Sequence, residues 1–352
     1  MRQRTRSEQG KTKRTGTKMG ILLAAALLAL LLGVGVGSVY VSPADILAIL
    51  AGRLFGLPLP EHIPASYSVM VLDMRLPRVL LAFLTGAALA AGGGVMQSVL
   101  QNPLASPFGL GVSSGAGLGA ALVIVLGLAS AGLGAFLLPG VSLGFALGTV
   151  FLVLAVSAKL DRGMSNVTIV LVGMVVSLFC NAVMTLLATA SPAYAQRIQL
   201  WQLGSFSMRE WSAVWALLPV TVLCCLYFLR YARELDVMTF GEEQAVAMGV
   251  DLCRVKGRLM AAVAVLVGVA VAFVGIIGFV DLIIPHIARK LFGASHRRVL
   301  PASVLLGGAF LVLCDLAART LTPPHEIPIG SITALLGAPF FLYLFFAGRR
   351  DD

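Results

Sequence analysis

The sequence predicts an all-α protein that crosses a membrane about ten times. Three observations carry that prediction. Apolar residues make up 59% of the 352 positions and charged residues only 12%, with a mean hydropathy of +0.95. A soluble domain carries about 45–50% apolar and about 25% charged residues. The apolar positions fall into runs close to the ~20 residues a helix needs to cross a hydrocarbon core. Charge gathers between those runs rather than inside them. The length accommodates about ten spans with short loops and no large soluble domain.

Residues 1–18 are polar, basic and rich in Thr and Gly, so they are expected as a disordered cytoplasmic tail. Residues 19–348 form the ten-helix transmembrane domain. The first span, Met19 to Val41, is too long for a typical signal-peptide core and shows no small-residue cleavage site, so it is expected to be retained. Ser42, Pro43 and Asp45 start a short amphipathic helix, Ile46 to Phe55, which Pro58, Pro60 and Pro64 break.

The second span is expected from about Pro77 to Gln101, with Pro77 in the first turn. Its Gly86, Ala90 and Gly94 recur every four residues, a pattern that lets membrane helices approach closely. Asn102 to Pro107 breaks the chain. The third span, about Leu110 to Leu128, repeats the spacing with Gly111, Gly115 and Gly119. These glycines form no GxGxxG after a strand, so packing explains them better than phosphate binding.

The fourth and fifth spans are about Leu133 to Ala158 and Asn166 to Ala190. A short external helix within Ser191 to Met208 is expected to lie at the interface with Trp201 as its anchor. The sixth span is Trp211 to Leu229. The seventh, Leu259 to Phe273, bends at Gly275 and Gly278 into a shorter eighth, Asp281 to Phe292. Leu300 to Ala318 and Ile329 to Phe346 complete the set.

Charge sets the topology. Basic residues favour the cytoplasmic ends of spans. With both termini inside, Arg53, Arg75, Arg78, Arg197, Arg209 and Arg319 are the only external ones among the 26 Lys and Arg. The net charge of +10 is therefore an orienting charge at membrane edges, not a nucleic-acid surface. The tail could also touch anionic lipid.

One interior segment, about residues 230–258, is dense in charge, with Arg233, Glu234, Asp236, Glu242, Glu243, Asp251, Arg254, Lys256 and Arg258. Each Asp, Lys or Arg at helix mid-depth costs about 2.5–3.5 kcal/mol, so the segment lies outside the bilayer. Gly241 to Met248 reads as a short helix stopped by Gly249, and Asp251 caps the next one. Two short helices bearing apolar residues fit either a docking element or a solvated connector.

Arg75 and Arg78, in the run RLPR, and Arg319 sit at outer mouths of spans. They fit an acidic partner or anionic substrate. They equally fit snorkelling or local pairing, with Asp73 near Arg75 and Asp315 one turn before Arg319.

Several chemistries are absent. The cysteines Cys180, Cys224, Cys225, Cys253 and Cys314 have no CxxC or Cys/His spacing. No HExxH or nucleophile elbow occurs. The nearest approach to a P-loop is Gly10-Lys11-Thr12, with Thr5 where a glycine is required. Asp281, His286, Asp315 and Arg319 could form a proton relay in a self-powered carrier, the rival class.

Taken together, several runs resemble the FecCD family of ABC-importer permeases for ferric siderophores, haem and cobalamin. They are RLPR (Arg75 to Arg78), GAALAAGGGVMQSVLQNPLASPFGLGVSSGAGLGA (Gly86 to Ala120) and GEEQAVAMGV (Gly241 to Val250). GFVDLIIPHIARKLFG (Gly278 to Gly293), DLAART (Asp315 to Thr320) and EIPIGSITALLGAPFFLYL (Glu326 to Leu344) follow in family order. One departure stands out: Asp281 occupies the family's usual glycine position.

The resemblance implies a bacterial inner-membrane permease. It implies a homodimer, or a dimer with a close relative, of about twenty helices around a central path. ABC ATPase subunits, which bind ATP and Mg, would dock on Gly241, Glu242, Glu243, Ala245, Met248 and Gly249. An external substrate-binding protein would dock through Arg75, Arg78 and Arg319. Asn102, Pro103 and Leu104, with Ser165 and Asn166, match the family's cytoplasmic gate. No cofactor and no enzymatic activity are expected in this chain. Ferric siderophore is the expected substrate, ahead of haem and cobalamin.

Overall fold

The computed structural model describes residues 2–37, 39–128, 136–161, 163–207 and 210–348, with side chains from residue 15 to residue 342. Helix α1 runs from Arg2 to Gly35. The tail expected to be disordered is thus helical and continuous with the first span. Once the apolar run nucleates a helix, extension adds one hydrogen bond per residue, and no proline interrupts residues 2–18. The span stops at Gly35 rather than Val41. Ser42 caps α2 (Pro43–Phe55), accepting from the Asp45 N–H at 3.1 Å, and Gly56 ends it at φ 68°. Ile46 and Ile49 form its buried face.

Helix α3 (Ala65–Val69) continues through a π turn, Met70–Arg75, into α4 (Leu76–Val99). The second span therefore begins well before Pro77. The wide turn lies just ahead of Pro77, whose missing N–H an unbroken α-helix could not replace. A 3₁₀ turn, Pro107–Leu110, leads into α5 (Val112–Val125). Then come α6 (Leu137–Leu160), α7 (Asn166–Ala190), α8 (Pro192–Gln202) and α9 (Trp211–Arg230). Residues 133–135 of the expected fourth span lie outside the described residues. Two short helices, α10 (Ala232–Met238) and α11 (Glu242–Ala247), precede α12 (Leu252–Val274). Helices α13 (Val280–Phe292), α14 (His296–Thr320) and α15 (Ile329–Gly348) close the chain.

Among the described residues, seven helices are long and apolar enough to cross a membrane, and Val112–Val125 and Ile329–Leu342 are shorter apolar helices. In the most apolar 18-residue window of Ala65–Val99, 89% is buried, against 33% in Leu137–Leu160 and 28% in Asn166–Ala190. Helix α4 is therefore the axis, and α6 and α7 turn apolar side chains such as Phe151, Leu171 and Phe179 outward. A helix apolar on all sides is stable only when surrounded by protein or lipid. Trp201, expected as an interface anchor, packs instead against the main core.

The small-residue stripes do what their spacing predicts. A Cβ on Gly86 would lie 2.1 Å from the Gly307 carbonyl oxygen, so α4 and α14 meet backbone to backbone. On α5, a Cβ at Gly115 would meet Thr149 Oγ1 of α6 at 2.3 Å. Gly144 on α6 has nothing within 4 Å of the same position. We expect Gly86→Leu to abolish a monodisperse folded peak in detergent, because overpacking costs about 1–3 kcal/mol even where neighbours can shift. Gly144→Leu should leave the peak unchanged; equal behaviour of the two variants would refute the α4–α14 contact.

Candidate functional site

Functional candidates gather at the two ends of α4. At its C-terminal end lies the charged segment between α9 and α12. Helix α11 starts after Gly241 (φ 122°) and ends in a Schellman motif. Gly249 sits at φ 84°, its N–H bonds the Val246 carbonyl at 2.9 Å, and the Val250 N–H bonds Ala245 at 3.0 Å. Asp251 then caps α12, accepting from the Arg254 N–H at 3.2 Å. That cap is why α12 begins seven residues ahead of the expected Leu259. Ala245 is buried under α11, while Phe240, Glu243, Val246, Met248 and Gly249 are exposed.

Glu242 is half-buried and turned inward. Its Oε1 accepts from Lys256 Nζ at 2.6 Å. Lys256 is 0% exposed. Its ammonium also donates to Asn166 Oδ1 at 2.9 Å and to the Met164 carbonyl at 3.3 Å, so all three of its protons have acceptors. Met164 takes a left-handed conformation, φ 50°, in the α6–α7 connection. Asp161 shapes that turn by accepting from the Gly163 and Ser165 N–H groups at 2.8 and 3.0 Å. Hydrogen bonding from Ser165, then from Gly163, holds the Asp161 carboxyl below its ordinary range.

The expected gate residues lie against this cluster. Gln101, at φ 51°, turns the chain out of α4. The Asn102 side chain accepts from the Leu104 N–H at 2.9 Å, and its backbone N–H bonds the Gln97 carbonyl at 3.0 Å. Asn102, Pro103 and Leu104 are exposed. Ser165 caps α7, accepting from the Thr168 N–H at 3.4 Å. Asn166 Nδ2 donates to the Leu100 carbonyl at 3.1 Å. Asn166 thus joins the start of α7 to the end of α4, two residues before Asn102, and links it to Lys256.

A second polar chain ties α10 to the same end of α4. Asp236 Oδ1 accepts from the His296 N–H at 2.7 Å and lies 2.6 Å from its Nδ1. His296 Nε2 lies 2.7 Å from Ser98 Oγ. Sequence reasoning counted Lys256 only as an orienting charge and did not single out Asp236 or His296. The available signal was a lysine inside the first turns of an apolar run, 14 residues after an acid.

At the opposite end of α4, Arg75, Arg78 and Arg319 come together, but with partners inside the chain. Arg75 is buried, and it donates to the carbonyls of Val34 (3.0 Å), Gly35 (3.2 Å) and Val39 (2.6 Å). It caps the C-terminus of α1, where unpaired carbonyls attract a cation. Its partners are carbonyls, not Asp73. Arg78 forks onto Asp315 (Nε 3.0 Å, Nη2 2.8 Å) and onto Glu326 (Nη1 2.7 Å). Arg319 lies 3.4 Å from Asp315 and donates to the Gly33 carbonyl. The hydrogen bond from Arg78, above all, holds Glu326 below the usual carboxylate range. Only 14% of the Arg78 side chain and 10% of that of Arg319 are exposed. The three arginines therefore form an internal lock rather than an open basic patch, because each has an acceptor that lowers its desolvation cost.

The rival relay residues separate into two groups. Asp315 and Arg319 belong to the lock. Asp281 is buried on α13 and accepts from Ser106, with its Oδ1 unpartnered among the described residues. No hydrogen bond among the described residues joins Asp281 or His286 to Asp315. Nor do the described residues contain a group of three His, Cys, Asp or Glu placed to hold a metal.

The FecCD transport family model matches residues 23–347. The chain is 41% identical over 323 residues to the uncharacterized ABC transporter permease protein YvrB of Bacillus subtilis, covering 92% of this chain and 91% of YvrB. It is 40% identical over 297 residues to the cobalamin import system permease protein BtuC of Halobacterium salinarum, covering 82% and 77%. A solved metal-chelate type ABC transporter in an inward-facing conformation superposes with a TM-score of 0.82 at 30% identity, covering 94% of this chain and 99% of that one. The chain therefore belongs to the FecCD transport family: it is an integral membrane protein, the permease of an ABC importer and a transport subunit rather than an enzyme.

Proposed function

We propose that the chain carries a metal chelate across the bacterial inner membrane, with a ferric siderophore as its substrate. It does so as a dimer, with ten spans per copy and both termini in the cytoplasm. Helices α5, α13 and α15 supply the three spans beyond the seven long ones. ATP and Mg bind to a separate ABC ATPase that docks on α10 and α11, and its closure and opening re-set the gate at Asn102, Pro103, Leu104, Ser165 and Asn166 by alternating access. The observation that carries this reading is α11 itself. It is a short helix between two spans, sealed underneath by Ala245 and a buried ion pair, and it presents Phe240, Val246 and Met248 to the outside. Exposed apolar side chains ringed by charge are the signature of a protein-docking surface.

A second substrate reading, cobalamin, is favoured by the 40% identity to the Halobacterium permease; other relatives are named for Fe(3+)-citrate and hemin. The chain reconstituted with its ATPase and binding protein decides among them. We expect ATP hydrolysis to rise with the ferric-siderophore-loaded binding protein and not with haem or cobalamin. Stimulation by cobalamin alone would transfer the substrate. Uptake driven by a proton gradient without any ATPase would overturn the importer mechanism. Val246→Asp with Met248→Asp should cut co-purification of the ATPase about tenfold or more, since desolvated apolar anchors dominate interfaces; unchanged co-purification would remove α11 from the docking surface.

For the binding protein, an acidic partner must compete with Glu326 for Arg78, and Arg75 is buried with Nη1 and Nη2 on the carbonyls at the end of α1. Glu326→Gln weakens that competitor while keeping its shape. We expect it to tighten binding-protein docking, whereas Arg75→Glu should lose folded protein instead. If Glu326→Gln leaves affinity unchanged, the arginines act only within the chain.

A further inference from the structure

We infer that Lys256 is the positioning strut through which α11 sets the 101–106 loop. The inference rests on the proposed roles of α11 as ATPase dock and of that loop as gate. The Lys256 ammonium joins three elements that are distant in sequence: α11 through Glu242 Oε1, the α6–α7 turn through the Met164 carbonyl, and α7 through Asn166 Oδ1. Asn166 faces the ammonium with its only acceptor, so its amide nitrogen is directed away and donates to the Leu100 carbonyl. Leu100 is the C-cap of α4, two positions before Asn102. An unbroken set of charge-assisted and neutral hydrogen bonds therefore runs from the dock to the root of the gate.

The link is stiff for an electrostatic reason. A buried ammonium that loses its carboxylate is an uncompensated charge, and the penalty is severe. Displacing α11 must carry Lys256 with it, or break a bond whose loss the interior cannot absorb. Lys256 cannot move without releasing Asn166, and Asn166 holds Leu100. A packing role alone needs no charge here, because apolar side chains of the same volume replace buried ion pairs at little or no loss of stability. The Asp236–His296–Ser98 chain independently fastens α10 to α4, so removing the lysine link leaves the segment attached and isolates the contribution of Lys256.

The test uses the permease assembled with its ABC ATPase in nanodiscs. Hydrogen exchange is followed at residues 240–249 and 99–106, with and without ATP, Mg and vanadate. In the unmodified complex both stretches should respond to nucleotide. In Glu242→Gln with Lys256→Met, which removes both charges together, 240–249 should still respond. The response at 99–106 should fall about fivefold or more, as for loss of a coupling element. Melting temperature should stay unchanged, and exchange is compared at equal ATPase occupancy because Glu242 itself lies in the proposed dock. Should that pair of changes prevent folding, Asn166→Ala cuts the same link one bond further on and should give the same selective loss. Lys256→Arg, which keeps the charge, should restore part of it. A full response at 99–106 in the charge-free variant overturns the inference, as does a wild-type complex in which only 240–249 responds. If no ATPase binds, or 240–249 is indifferent to nucleotide, the functional reading fails, and the inference with it.

Discussion

The contact of α4 with α14 at Gly86 and Gly307 is what the rest of the molecule depends on. Lipid tails are as apolar as leucine, so membrane helices gain little from simple burial and need close backbone approach instead. Two facing glycines provide it, and Gly93 repeats the arrangement against the backbone of α13 at Asp281. With its flanks occupied in this way, α4 becomes a rigid rod through the bundle. Its first turns hold Arg78, its last turn holds Ser98, and Leu100 caps its end. Both functional ends are therefore mounted on one element.

The two ends treat charge differently, and the difference follows from what each must do. At the arginine end, Asp315 is shared between Arg78 and Arg319, and Glu326 closes the set, so the cluster is nearly self-neutral. It ties together α1, α4, α14 and the connection leading to α15. At the other end Lys256 and Glu242 face inward, while the outward side of α11 presents Val246 and Met248 beside Glu243. A docking surface of the kind proposed for α11 gains more from desolvated apolar anchors than from screened surface pairs.

What was legible in the sequence is what depends on near neighbours. The α2 cap at Ser42, the Gly249 stop, the Asp251 cap and the Asn166–Ala190 span all rest on contacts within a few residues, and the structure has them where the pattern put them. The glycine stripes were legible because spacing four is itself the signal. The end of α1 was not, since its terminator, Arg75, lies about 40 residues on. The arginine lock was not either: Asp315 and Glu326 are 237 and 248 residues from Arg78. Of the lock, only the Asp315–Arg319 pair, one turn apart, is legible from spacing, and local pairing is open for that reason; the partners of Arg78 are not legible. Lys256 was hidden by the same distance effect, because its acceptors Asn166 and Met164 lie about 90 residues back.

The positions of the ionisable groups also bear on the energy source. A proton-driven carrier needs titratable side chains linked in series across the bundle. Here the Asp315 carboxylate is engaged by both Arg78 and Arg319, so it serves as a fastener within the lock. Asp281 faces Ser106 beside the gate loop, and the bonds of the arginine lock do not reach it. The charges are arranged as fasteners at each end of α4, with apolar side chains and glycines between. Such a layout suits a protein whose states are set by force applied at one end through a docked partner, which is how an ABC permease is driven. Asp281 takes its meaning from its neighbour: it accepts from Ser106, the cap of the 3₁₀ turn Pro107–Leu110, and so anchors the far side of the 101–106 segment, whose near side is held by Asn166 through Leu100.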